Sequence, residues 1–69
     1  MDMKPLISSN LQAAGYDSET RQLDIQFNNG NVYSYDDVEQ SVGEGIFSAA
    51  SPGQYFRNFI KGRYRFVKQ

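Results

Sequence analysis

Leu23-Asp24-Ile25-Gln26-Phe27-Asn28-Asn29-Gly30-Asn31-Val32-Tyr33-Ser34-Tyr35 decides how this 69-residue chain folds. From Arg21 to Phe27 the apolar Leu23, Ile25 and Phe27 alternate with Gln22, Asp24 and Gln26, the period of a strand with one wet face. Asn28-Asn29-Gly30 then turns the chain into a return strand, and the turn type sets the register. With Asn29-Gly30 as a two-residue type I′ loop, Phe27 stands opposite Val32 and Ile25 opposite Ser34. Tyr33 and Tyr35 then share the wet face with Gln26 and Asp24. With Asn28-Asn29 as a type I turn and Gly30 as a left-handed bulge, Ile25 faces Tyr33 and Leu23 faces Tyr35, so both tyrosines join the apolar face. The bulged register sorts the faces better and leaves Val32 as its only misfit.

Upstream, Asn10-Leu11-Gln12-Ala13-Ala14-Gly15-Tyr16 reads as a first strand, ended by the turn formers Asp17-Ser18-Glu19-Thr20. Downstream the period becomes helical. Asp37 stands as N-cap with Gln40 at N3, and Val38, Val42, Ile46 and Ala49 follow at helical spacing with Phe47 beside them. Gly43 and Gly45 weaken that helix by about 1 kcal/mol each relative to Ala, so fraying or a late start is expected. Ser51-Pro52-Gly53-Gln54 is a cleaner beginning, with Ser51 as cap, Pro52 at N1 and Gln54 at N3. It opens a short helix whose Tyr55, Phe56, Phe59 and Ile60 form the stripe that docks it on the sheet, and Gly62 stops it. Arg63-Tyr64-Arg65-Phe66-Val67-Lys68 alternates basic and apolar residues except at Val67, and either adds an edge strand or lies extended across the domain. The expected fold is α+β: an antiparallel three-stranded β-meander, two short helices and an extended C-terminal segment. It forms one domain with its core over residues 9–66 and residues 1–8 flexible.

A chain this short has a marginal core. It contains no Cys and no His, which removes disulfides, thiolate chemistry and nearly every zinc site, so the core must come from aliphatics and from five Tyr and five Phe. No apolar run approaches a membrane span, and Met1-Asp2-Met3-Lys4-Pro5-Leu6-Ile7-Ser8 lacks the positive-then-apolar layout of a signal peptide, so a cytoplasmic location is expected. Charge is uneven along the chain. Residues 1–56 hold Lys4 and Arg21 against eight acids, a balance of −6, while residues 57–69 hold Arg57, Lys61, Arg63, Arg65 and Lys68 with no acid, a balance of +5.

That basic end is interleaved with Tyr55, Phe56, Phe59, Tyr64 and Phe66, the composition of single-stranded nucleic-acid sites, where cations track phosphates and rings stack on bases. The candidate nucleic-acid-binding residues are Tyr33, Tyr35, Arg57, Lys61, Arg63, Tyr64, Arg65 and Lys68. For the tyrosines the plain alternative is a half-buried core role with the hydroxyls at the rim. For the cations it is a solvated face that offsets the acidic remainder. Lys61-Gly62-Arg63 stands out because a glycine lets the backbone approach a ligand, although a helix C-terminus offers an anion only side-chain charge. Nothing supports catalysis: Asp36, Asp37, Glu39 and Glu44 have no histidine or second acidic cluster beside them, and Ser8, Ser9 and Ser51 have no His or Cys partner. The glycines are too scattered for a phosphate loop. No metal and no cofactor is expected.

The strand ending in Gly15-Tyr16-Asp17, the run Leu23-x-Ile25-x-Phe27-x-x-Gly30-x-Val32-Tyr33-x-Tyr35, and the close Tyr55-Phe56 with Ile60-Lys61-Gly62-x-Tyr64 resemble the KTSC domain from Ser9 to Phe66. Its central Tyr-x-Tyr motif is met by Tyr33-Ser34-Tyr35. That family is named for an extension at the C-terminus of some lysyl-tRNA synthetases and also occurs as free-standing bacterial and phage proteins. The resemblance implies a small non-catalytic binding domain and, from its attachment to a tRNA-charging enzyme, RNA or tRNA as partner. The acidic first 56 residues confine such contact to the C-terminal strip and the Tyr-x-Tyr hairpin. The alternative is a protein-interaction module that pairs a partner or a second copy through a sheet edge or the C-terminal segment, the chain itself being a monomer or weak dimer.

Overall fold

The computed structural model describes all 69 residues. Five strands form one antiparallel sheet in which each strand neighbours the next in sequence: β1 (Lys4–Pro5), β2 (Leu11–Asp17), β3 (Gln22–Phe27), β4 (Val32–Tyr35) and β5 (Phe66–Lys68). Helices α1 (Gln40–Ser48) and α2 (Pro52–Phe59) fill the connection between β4 and β5 and cover one face of the sheet. The α+β class and the central β2–β3–β4 meander are as expected, but the sheet is wider than three strands. Lys4–Pro5, ahead of the expected core, pairs with Ala13 and Ala14 of β2. At the other edge the C-terminal segment forms a strand on β4 instead of crossing the domain.

The hairpin adopts the bulged register. Leu23 pairs with Tyr35, Asp24 with Ser34 and Ile25 with Tyr33. The Gly30 N–H donates to Phe27 O across the Asn28-Asn29 turn, and Gly30 takes φ +92°, a conformation open to glycine but strained for most residues. A second irregularity, between Leu11 and Ala13, inserts a residue in β2 so that Leu11 and Ala14 reach the same face. Leu11, Ala14, Leu23, Ile25 and Tyr35 thus meet Val38, Ile46, Phe56 and Ile60 in one core. Leu11, Leu23, Ile25, Val38, Ile46 and Ile60 are fully buried, each contributing about 1.5–3 kcal/mol by leaving water.

Helix α2 begins as its residues dictate: the Ser51 hydroxyl accepts from the Gln54 N–H at 3.3 Å and Pro52 holds the first turn. Of the expected docking stripe, Phe56 and Ile60 are buried and Tyr55 half-buried, while Phe59 is half-exposed with its ring on Tyr55 at 4.9 Å. Helix α1 corrects the expected cap. Asp37 does not cap it; the helix starts at Gln40, and Glu39 at the N-cap makes no side-chain bond. The cause lies at Asp37, whose left-handed φ of +56° is not the extended backbone of an N-cap, while Val38 is held by tertiary bonds, its N–H donating to Arg21 O and its carbonyl accepting from the Tyr16 hydroxyl. Asp37 instead sits at φ +56° beside Arg21 at φ +61°, with their side chains 3.3 Å apart.

The glycines of α1 have a packing role. A Cβ on Gly43 would lie 2.4 Å from the Tyr16 ring, and one on Gly45 would lie 2.2 Å from the Tyr55 hydroxyl. Tyr16 from β2 and Tyr55 from α2 therefore lie directly against α1, and the Tyr55 hydroxyl donates to Val42 O at 2.7 Å. These two rings fix how the helix layer sits over β2, and so where the sheet is left open.

Candidate nucleic-acid interface

The helix layer leaves a groove at the β4–β5 side of the sheet. Its volume is about 290 Å³, and it is lined by Phe27, Tyr33, Tyr35, Phe56 and Phe66. The five rings touch in a closed circuit. Phe27 meets Tyr33 edge-on at 5.3 Å, Tyr33 meets Phe66 at 5.3 Å and Phe66 meets Tyr35 at 5.4 Å. Tyr35 meets Phe56 edge-on at 5.7 Å, and Phe56 returns to Phe27 edge-on at 5.5 Å. Four elements supply this circuit: β3 through Phe27, β4 through the Tyr-x-Tyr pair, α2 through Phe56 and β5 through Phe66. The bulged hairpin register and the β5 pairing are what bring them to one place.

Polar groups border the rings. Lys61 and Gly62 line the groove after α2, and Asn29 and Asn31 line it from the hairpin turn. The β4–β5 register sets Lys68 beside Tyr33 on the same face. The tyrosine hydroxyls divide sharply. Those of Tyr16, Tyr55 and Tyr64 donate to Val38 O, Val42 O and Glu39 Oε1. Those of Tyr33 and Tyr35 have no partner in the chain. No buried polar side-chain atom lacks a partner, so the Tyr35 hydroxyl keeps its contact with solvent although the residue is only 4% exposed. Burial pushes that hydroxyl up to about 12, with the neighbouring Tyr33 adding to the shift.

The expected site is thus divided. Tyr33, Tyr35 and Lys61 line the groove, and Lys68 stands opposite Tyr33 on β5. Arg63, Tyr64 and Arg65 open onto a second cleft shared with Asp36, Asp37 and Glu39, where opposite charges offset one another. There the Arg63 Nε donates to Asn58 O at 3.1 Å, and burial together with the bond to Glu39 raises Tyr64 above the usual tyrosine range. Arg57 lies on a third surface, with Ile7, Ser9 and Gln54. Of the Lys61-Gly62-Arg63 run, the first two residues reach the groove and the third does not.

Phe27, Phe56, Phe66, Asn29 and Asn31 complete the groove but were not candidates from sequence. Phe56 reads as core, and it is core as well as wall. Phe27 follows from the bulged register, which sets it beside Tyr33. Phe66 depends on a strand pairing with Tyr35 across thirty intervening residues; the alternation of Arg63 to Lys68 allows an edge strand but does not say which strand it pairs with. No group of three or more Asp and Glu side chains is arranged to hold a metal ion, and no helix is long and apolar enough to cross a membrane.

Comparison with known proteins agrees with this architecture. The family model of the KTSC domain matches residues 7–64. A lysine–tRNA ligase of Nostoc punctiforme is 45% identical over 51 residues, which are 74% of this chain and 9% of the ligase. The chain thus spans about a tenth of the length of such ligases. A small protein of Tsukamurella paurometabola is 35% identical over 65 residues, covering 94% of this chain and 97% of that one. The crystal structure of a KTSC domain protein from Yersinia pestis superposes with a TM-score of 0.92 at 35% identity, over 99% of this chain and 96% of that one. Matched by the family model over most of its length and by that crystal structure over nearly all of it, this chain belongs to the KTSC domain family.

Proposed function

We propose that this KTSC domain is a non-catalytic module that binds single-stranded segments of RNA, tRNA among them, through the aromatic groove. The observation that carries the reading is the closed circuit of five rings around an open groove, with Lys61 at its border and both Tyr-x-Tyr hydroxyls unpartnered. Rings accept the faces of unpaired bases at about 1–3 kcal/mol per base, and the lysines attract the backbone. A cationic ligand is disfavoured, because Lys61 and Lys68 would repel what an aromatic cage otherwise attracts. The occurrence of a related segment in lysine–tRNA ligases supports tRNA as the RNA met. The acidic first 56 residues keep contact local.

The test is an NMR titration of labelled protein with a short single-stranded RNA and with tRNA at low and physiological salt. Saturable shifts at Tyr33, Tyr35, Lys61, Phe66 and Lys68 are expected. Two phosphate contacts, by Lys61 and Lys68, give a slope of about −1.4 in log K against log salt. Absence of shifts at low salt, where electrostatic attraction is strongest, overturns the reading.

One observation favours a second reading, strand addition by a protein partner. The Arg65 carbonyl accepts from the Asp36 N–H and the Gln69 N–H donates to Val32 O, so alternation turns the backbone groups of Phe66 and Lys68 outward on an unpaired edge. A defined partner or self-association, with no salt-dependent RNA shift, supports that reading over the first.

A further inference from the structure

We infer that the groove takes a single nucleobase with its own phosphate, one per domain, rather than a stack of two or three bases. This rests on the nucleic-acid reading above and deepens it. Sheet platforms that hold several bases present their rings side by side on an open surface. Here Phe27 meets Tyr33 edge-on at 71° and Phe56 at 81°, and Tyr35 meets Phe56 at 75°, forming walls rather than a platform. Tyr35 and Phe56 are 4% and 6% exposed, which leaves them no face for a second base. The groove's volume of about 290 Å³ falls just below the range of small-molecule sites, about 300–1,000 Å³, and suits one flat ring system.

Phe66, half-exposed on β5, is the ring with most surface free and is the stacking partner. The hydroxyls of Tyr33 and Tyr35 meet the base edge, since neither has an internal bond to give up. At the mouth, Asn29 Oδ1 already accepts from the Asn31 N–H at 3.0 Å, which leaves the Asn29 amide nitrogen and the Asn31 side chain as further base-edge partners. Lys61 stands at the border to meet the phosphate. The smallest complete ligand is therefore a nucleoside 5′-monophosphate.

The test titrates labelled protein with the four ribonucleoside 5′-monophosphates, ribose 5-phosphate and a short single-stranded RNA. Expected are saturable one-to-one shifts at Tyr33, Tyr35, Phe66 and Lys61 with at least one mononucleotide, and none with ribose 5-phosphate. Tyr33→Phe and Tyr35→Phe each weaken the mononucleotide roughly 3- to 10-fold, the loss of one hydrogen bond, while amide spectra show the fold intact. Binding of RNA without any mononucleotide overturns the one-base site and leaves the RNA reading standing. Binding of a mononucleotide without RNA keeps the site and overturns the RNA reading in favour of a free nucleotide. Shifts centred on Arg63 and Arg65, equal response to ribose 5-phosphate, or no binding by either ligand overturns the inference.

Discussion

Gly43→Ala is expected to destabilise the domain, although helix propensity alone says the opposite. The change gains about 1 kcal/mol of intrinsic helix propensity. It also sets a methyl group 2.4 Å from the Tyr16 ring, where carbon contacts settle near 3.5–4.0 Å. The ring cannot swing aside freely, because β2 holds its backbone and its hydroxyl donates to Val38 O. Overpacking of this kind costs about 1–3 kcal/mol, and losing the hydroxyl bond costs about 0.5–1.5 kcal/mol more. The net effect is a loss of about 0.5–3.5 kcal/mol, or a fall in Tm of roughly 2–28 °C for a domain of this size. Urea and thermal unfolding followed by circular dichroism measure it. In a Tyr16→Leu background, where the ring is gone, the same substitution should turn stabilising by about 1 kcal/mol, so the cycle reads a coupling specific to the pair. A Tm that rises with Gly43→Ala in the native background would refute the seating of Tyr16 on α1.

Other expectations follow from the same contacts. Tyr33→Phe and Tyr35→Phe should leave urea stability within about 0.5 kcal/mol, since no internal bond is lost, whereas Tyr55→Phe should cost about 0.5–1.5 kcal/mol through Val42 O. Ser51→Ala should cost about 1 kcal/mol by freeing the Gln54 N–H, read as a lower urea midpoint. Tyr35, held at about 12 in the fold against about 10 unfolded, keeps its proton where the unfolded chain releases it. Its contribution is complete below about pH 10 and is lost toward pH 12; urea midpoints measured across that window should fall, and Tyr35→Phe should flatten the fall.

The parts of the fold legible in sequence are those set by neighbours in the chain. Gly30 chose the hairpin register because only a bulge puts Leu23, Ile25, Tyr33 and Tyr35 on one face, and Ser51-Pro52-Gly53-Gln54 set the start of α2. What was not legible depends on residues far apart. Asp37 has the pattern of a cap, yet its backbone is left-handed, beside a Val38 tied to the distant Arg21 and Tyr16. Gly43 and Gly45 look like weaknesses until the rings of Tyr16 and Tyr55 are seen to need their missing Cβ atoms. In the candidate site the two tyrosines were found by motif and Lys61 by composition. The basic strip then proved to be three surfaces, because Arg57 stands on α2 beside Gln54, away from the groove, while the turn after Ile60 and the pairing of β5 carry Arg63 and Arg65 to the acidic cleft.

The pairing of β5 also bears on the order of folding. β2, β3 and β4 are joined by short turns and close with little loss of chain entropy, whereas β5 must return to β4 across both helices. Its three residues are exposed, so with the two-residue β1 it is one of the two strands most readily released from an otherwise intact domain. The groove is therefore expected to assemble late and to open early. In native-state hydrogen exchange the Asp36 and Gln69 amides, bonded to Arg65 O and Val32 O, should exchange well ahead of those of β3. A ligand that bridges Phe66 to Tyr33 would act as a clasp, slowing that exchange without touching the rest of the sheet.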